Sequence, residues 1–140
     1  MKTFRCQQGV AAVEFAIVLP LLIVLAFGII EFSLLLYNQQ VITNASREGA
    51  RAGIVSQNPR VTVAAIQAVV LNYCSTYLIT FGNKATALHT PVITGYSASA
   101  AFAAPLTVSV TYDYKFLVIP SFSAVTSPLS LTATTVMRYE

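Results

Sequence analysis

Apolar residues run almost without interruption from Val10 to Ile30, 21 positions among which Glu14 carries the single charge. Wound as a helix, that run spans roughly 31 Å, close to the roughly 30 Å hydrocarbon core of a bilayer. No strong breaker follows Pro20 until Asn58-Pro59. The pattern therefore predicts one helix from Val10 to about Val55. Its length of roughly 69 Å is about twice a bilayer. The membrane-spanning part is expected at about residues 10–36, and the rest has to pack on a head. Pro20 removes one backbone hydrogen bond and is expected to bend the helix.

After Tyr37 the same helix turns polar, in "NQQVITNASREGARAG". Ala45, Gly49 and Gly53 recur every four residues, a stripe of small side chains suited to close packing. Each glycine costs about 1 kcal/mol against alanine, so packing has to offset it. Arg47, Glu48 and Arg51 carry the charges of this half. Glu48 and Arg51 are spaced to pair, and all three are candidates for contacts between subunits as well as for a solvated edge.

Asn58-Pro59 predicts the start of a second helix, with Asn58 as its cap and Pro59 in its first turn. Val63, Ile66, Val70, Tyr73 and Tyr77 follow at helical spacing and form its core stripe, ending near Gly82-Asn83. Beyond, the period changes to two. In "PLTVSVTYDYKFLVIP" the residues Leu106, Val108, Val110, Tyr112, Tyr114, Phe116 and Val118 alternate with polar ones, which predicts a strand with one buried face. "LSLTATTVMRYE" alternates again through Leu129, Leu131, Ala133 and Met137. Residues 120–128 would join the two strands as a hairpin. "HTPVITGY" is a candidate third strand, and the Ala/Ser-rich stretch from Ser97 to Pro105 is a loop.

Composition sharpens this picture. The chain is 56% hydrophobic and 9% charged, against roughly 25% charged in ordinary soluble domains. Such a surface faces lipid or other protein. Lys2 and Arg5 precede the apolar run, so the N-terminus is expected to stay cytoplasmic and the head to lie outside the inner membrane. The net charge of +3 belongs largely to that leader. Without residues 1–9, the eight Lys/Arg fall to six, against five Asp/Glu, and +1 remains. Nucleic-acid binding is not indicated. Cys6 and Cys74 fall on opposite sides of the run and cannot pair within one chain. Cys74, on the apolar side of the second helix, is expected to be buried, with pairing between chains as the alternative.

Three readings of the first thirty residues compete. A secretory signal would be cut near Ala26-Phe27-Gly28. An uncut anchor would keep the whole run. Neither explains an acid, which at mid-membrane costs about 2.5–3.5 kcal/mol. The third reading does. If the chain is cut between Gly9 and Val10, Glu14 becomes the fifth residue, and the new amine of a neighbouring subunit can neutralise it. Such a pair would also set the axial register between helices. A basic leader, Gly at the cut, Glu five residues later and about twenty apolar residues is the prepilin pattern.

"GVAAVEFAIVLPLLIVLAFGIIEF", "NASREGARAGIV", "SVTYDYKFLVIP" and "VMRYE" together resemble the TadE-like pseudopilins, minor pilins of the tight-adherence (Tad, or Flp) pilus system. The resemblance implies an α+β, pilin-like fold. A leader over 1–9 would precede the long helix over 10–55 and a head over 56–140, the head holding a second helix and a small antiparallel sheet. It implies cleavage after Gly9 by a prepilin peptidase, and a minor subunit that helps assemble an adhesive, type IV-related pilus. Glu14 then stands at the acid of the processing motif. The expected partners are membrane lipid before assembly, the peptidase, and other pilin and pseudopilin subunits. The expected location is the bacterial inner membrane, single-pass, with passage into an extracellular pilus. Phe15 follows Glu14 where major Flp pilins tend to have Tyr, which suits a pseudopilin. The alternative is a membrane-anchored periplasmic binding or adhesion module that does not polymerise.

Catalysis is not indicated, nor is a cofactor or a metal. The chain has one histidine, His89, and one aspartate, Asp113. Asp113 is expected to pair with Lys115 on the same strand face, and His89 to be a solvated loop residue. That arrangement leaves no Ser-His-Asp triad.

Overall fold

The computed structural model describes residues 4–80, 87–116 and 128–139, with side chains from Gly9 onward. Helix α1 spans Phe4–Ile54, 51 residues that continue through Pro20. Helix α2 spans Val63–Tyr77. Three strands follow: β1 Val92–Thr94, β2 Pro105–Tyr114 and β3 Leu129–Arg138. They form one antiparallel sheet in the order β1-β2-β3. The fold is α+β: a long apolar helix, a second helix and a small sheet.

Alternation decides how the sheet meets the helices. Leu106, Val108, Val110, Tyr112 and Tyr114 are all buried, as period-two patterning requires of a half-buried strand. Val110 stands opposite Ala133 and Tyr112 opposite Leu131, so the buried face continues into β3. Against it lie Val41, Ile42, Ala45 and Ala50 of α1 and Ile66, Val70 and Cys74 of α2. The opposite face carries hydroxyl pairs. Ser109 meets Thr134 at 2.9 Å, and Thr111 meets Thr132 at 3.4 Å. Cross-strand pairs of this kind add a few tenths of a kcal/mol each. The loop after β1 is tied down by the penultimate residue. Ala103 N–H donates to the Tyr139 carbonyl, and Tyr139 N–H to the Ala104 carbonyl.

Three details of α2 differ from the sequence reading. Its cap is Thr62, extended in backbone, whose hydroxyl accepts from Ala65 N–H at 3.3 Å. Asn58 and Pro59, joined by a cis peptide, lie in the connection before it. Thr62 supplies the same side-chain acceptor as Asn58 would, and it stands directly before the first apolar-periodic residue. The buried stripe is Ile66, Val70 and Cys74, whereas Tyr77 is half-exposed. The strict spacing of four turns the stripe away from the tyrosines. Burial pushes the Cys74 thiol up to about 11, and a thiol with no exposed surface does not meet another chain. The helix ends at Tyr77, earlier than the expected Gly82-Asn83, because Leu78 turns to an extended backbone as its C-cap; Val118 and most of the β2–β3 connection lie outside the described residues.

Candidate functional site: a bare apolar helix and the polar seam that ends it

From Gly9 to Ile30 every side chain of α1 is exposed. Val10, Phe15, Ile17, Leu21 and Val24 are each at least 60% exposed, which water would not tolerate along a whole helix. This is the one helix among the described residues long and apolar enough to cross a membrane. It fits a single-pass anchor. Gly9 and Val10 lie within the helix, and a side chain added at Gly9 would meet nothing within 4 Å. Glu14 is exposed four residues on, and helical spacing stacks it on the same face as Val10.

The first buried side chain after the bare stretch is Glu31, 2% exposed, while Phe32, Leu36 and Tyr37 beyond it remain exposed on the other face. The Tyr114 hydroxyl donates to Glu31 Oε1 at 2.5 Å, so the end of β2 grips the helix at the first turn after the apolar run. Seven residues on, Asn38 is fully buried. Its side-chain amide donates to the Ile79 carbonyl at 3.0 Å and its Oδ1 accepts from Ile79 N–H at 3.1 Å. Eight residues further, the buried Ser46 hydroxyl bonds the Thr135 hydroxyl of β3 at 2.7 Å. One polar side chain roughly every two turns thus joins α1 to a different part of the head. These groups are buried but satisfied, which is what their burial demands.

Sequence reasoning passed over Glu31, Asn38 and Ser46. A signal was present for the first: an acid closing an apolar run, and two tyrosines on a strand face expected to be buried. An acid on an apolar face needs an O–H or N–H donor, and Tyr112 and Tyr114 were the candidates.

Burial and the Glu31 carboxylate both raise the Tyr114 pKa above the phenol's ordinary value of 10.0. A raised folded-state value means that this stabilisation is present below 10.0 and is lost as pH rises past it. Tyr114→Phe should therefore cost about 1.5–3 kcal/mol near neutrality, because a charged acceptor loses a donor. It should also flatten the alkaline fall in stability. Thermal melts of the detergent-solubilised chain from pH 7 to 11 measure both; an unchanged midpoint at pH 7 would contradict the grip.

The small stripe does close packing, but within the chain. Ala45, Gly49 and Gly53 are buried against α2 and β2. A methyl added at Gly49 would collide with Val70, and one at Gly53 would lie 2.5 Å from Leu106 Cδ2 and 2.8 Å from Ile66 Cδ1. Arg47, Glu48 and Arg51 are exposed, Arg47 and Arg51 on the uncovered face of α1 and Glu48 at its edge beside α2. No ion pair within 4.0 Å joins them among the described residues.

His89 and Asp113 do meet, against expectation. Leu88 bridges to Tyr112, and His89 N–H donates to the Thr111 carbonyl, which extends the sheet past β1. His89 Nε2 then lies 2.9 Å from Asp113 Oδ2, while the Ser130 hydroxyl donates to Asp113 Oδ1 at 2.6 Å. The aspartate is the middle member, so the serine is not activated by the histidine as nucleophilic catalysis requires. The Ser130 and His89 hydrogen bonds hold the Asp113 carboxyl below its ordinary value of 3.8. A lowered value contributes stability above 3.8 that is lost as pH falls below it. Asp113→Asn should flatten that acid limb in thermal melts between pH 5 and 2, and only slightly, because the group is exposed; an unaltered limb would rule out the pairing as its source.

Residues 9–51 match the model of the TadE-like protein family. The match takes in the apolar stretch, Glu31, Asn38 and Ser46, and the charged face of α1; it ends before Gly53. No curated protein and no solved structure matches the chain.

Proposed function

We propose that this chain, a TadE-like protein by its match over residues 9–51, is a minor pilin-like subunit cut after Gly9 and used to assemble an adhesive Tad pilus. The observation that carries the reading is the uncovered apolar helix from Gly9 to Ile30 with its single acid, joined to a packed head that first buries a side chain of α1 at Glu31. A helix used only as an anchor needs no acid near its start. A helix that leaves lipid to pack against other such helices needs a compensated one. We place the end of the spanning stretch at Ile30, because Tyr114 holds the next residue to the head. Lys2 and Arg5 keep the N-terminus cytoplasmic and leave the head periplasmic. The expected partners are lipid, then a prepilin peptidase, then other pilin-like subunits.

Mass spectrometry of the N-terminal peptide, from cells with and without the prepilin peptidase, tests the reading. The mature chain is expected to begin at Val10 in the first and at Met1 in the second. A start at Met1 in both would leave an uncut anchor, and a start at Ile29 would mean an ordinary secretory signal.

A further inference from the structure

On the head, α1 and α2 enclose a groove of about 370 Å³ lined by Glu48, Val69, Asn72, Tyr73, Thr76 and Tyr77. Among these residues Glu48 carries the only charge, and it makes no ion pair within 4.0 Å among the described residues. The rings of Tyr73 and Tyr77 stand 4.7 Å apart, tilted by 48°, and Tyr77 is 50% exposed. A carboxylate beside two tyrosine faces is the chemistry that receives a guanidinium, through a charge-assisted hydrogen bond at one end and stacking on the rings.

The same molecule displays the matching group. Arg47 and Arg51 lie one turn apart on the outer face of α1, exposed and without an acidic partner among the described residues. That face continues through Leu36, Gln40 and Asn44, all uncovered by the head. Groove and arginines adjoin on α1, so a contact between them can be reciprocal in a twofold pair or run head-to-tail. The head-to-tail form need not close into a dimer and can extend into a filament.

We propose that the groove formed by Glu48, Tyr73 and Tyr77 receives the Arg47–Arg51 edge of a second copy of this chain. The proposal rests on the assembly reading above and adds the residues that join neighbouring heads.

The test uses two differently tagged full-length copies co-expressed in one membrane and solubilised in detergent, with co-purification as the readout. Native copies are expected to co-purify. Glu48→Arg in both copies, or Arg47→Glu with Arg51→Glu in both, should reduce co-purification to background. One copy carrying Glu48→Arg and the other carrying the two arginine replacements should restore it. That rescue crosses between chains, so it cannot come from the Glu48–Arg51 spacing within one helix, nor from a misfolded variant. Native association without rescue in the mixed pair overturns the proposal, as does native association that survives Glu48→Arg. Absence of native association also overturns it. If Glu48→Arg then still removes the chain from sheared fibres, the occupant is a different subunit and the assembly reading stands; N-terminal sequencing at Val10 decides that reading separately.

Discussion

Replacing Glu14 with alanine is expected to leave the cut between Gly9 and Val10 largely intact and to abolish incorporation into fibres. Processing reads the residues around the scissile bond, whereas assembly places the carboxylate among apolar helices. There it has to meet a cation, and the processed neighbour's amine at Val10 is the one the scheme supplies. Removing one partner of a buried ion pair strands the other, at a cost of about 3–5 kcal/mol. Each 1.4 kcal/mol is about tenfold in an equilibrium constant, so incorporation should fall by a factor on the order of hundreds or more. Glu14→Gln should fail nearly as badly, because the amide keeps the shape and loses the charge. Immunoblots of sheared fibres and of membranes separate the two steps. Mature variant protein at native levels in fibres would remove Glu14 from the assembly scheme.

The second large effect is expected at Gly53. A leucine there would drive its Cβ to 2.5 Å from Leu106 Cδ2 and 2.8 Å from Ile66 Cδ1, with three more carbons still to place. The helix gains about 1 kcal/mol in propensity when a glycine is replaced by a good helix former. Overpacking typically costs about 1–3 kcal/mol, and four added carbons at a helix–helix–sheet junction stand at or beyond the upper end. The clash wins, by an amount that is a large part of the roughly 5–15 kcal/mol that holds a domain together. Gly28→Leu is the control, since a side chain there would meet nothing within 4 Å. Circular dichroism melts in detergent should show the Gly53 variant losing its cooperative head transition while the Gly28 variant keeps it. A native-like melt for Gly53→Leu would mean that the helices sit further apart than described.

Local signals were strong enough to read most elements. The apolar run, the long helix, two alternating strands and the third strand at "HTPVITGY" appear where the pattern places them, because run length and period are local properties that need no distant partner to be recognised. Cys74 is buried, as its side of α2 implies. The cap of α2 was misassigned because Asn58 and Thr62 are chemically equivalent caps and only the tertiary path selects one. The candidate site was legible as composition: a glycine, an acid five residues on, a small stripe and three charges. Its polar seam was not, because Asn38 and Ser46 look like any polar residues of a solvated helix until α2 and β3 close over them.

The chain by itself determined what has to be hidden from water: twenty-one nearly uncharged residues at one end and alternating faces at the other. Hydrophobicity and period are properties of residue order alone. Only the tertiary structure decided where the head first takes hold of the long helix, since that depends on Tyr114 reaching Glu31 across 83 positions of sequence. It also turned the glycine stripe inward and His89 toward Asp113. A hydrogen bond or a close contact needs a particular partner at a particular distance, and residue order does not contain that distance.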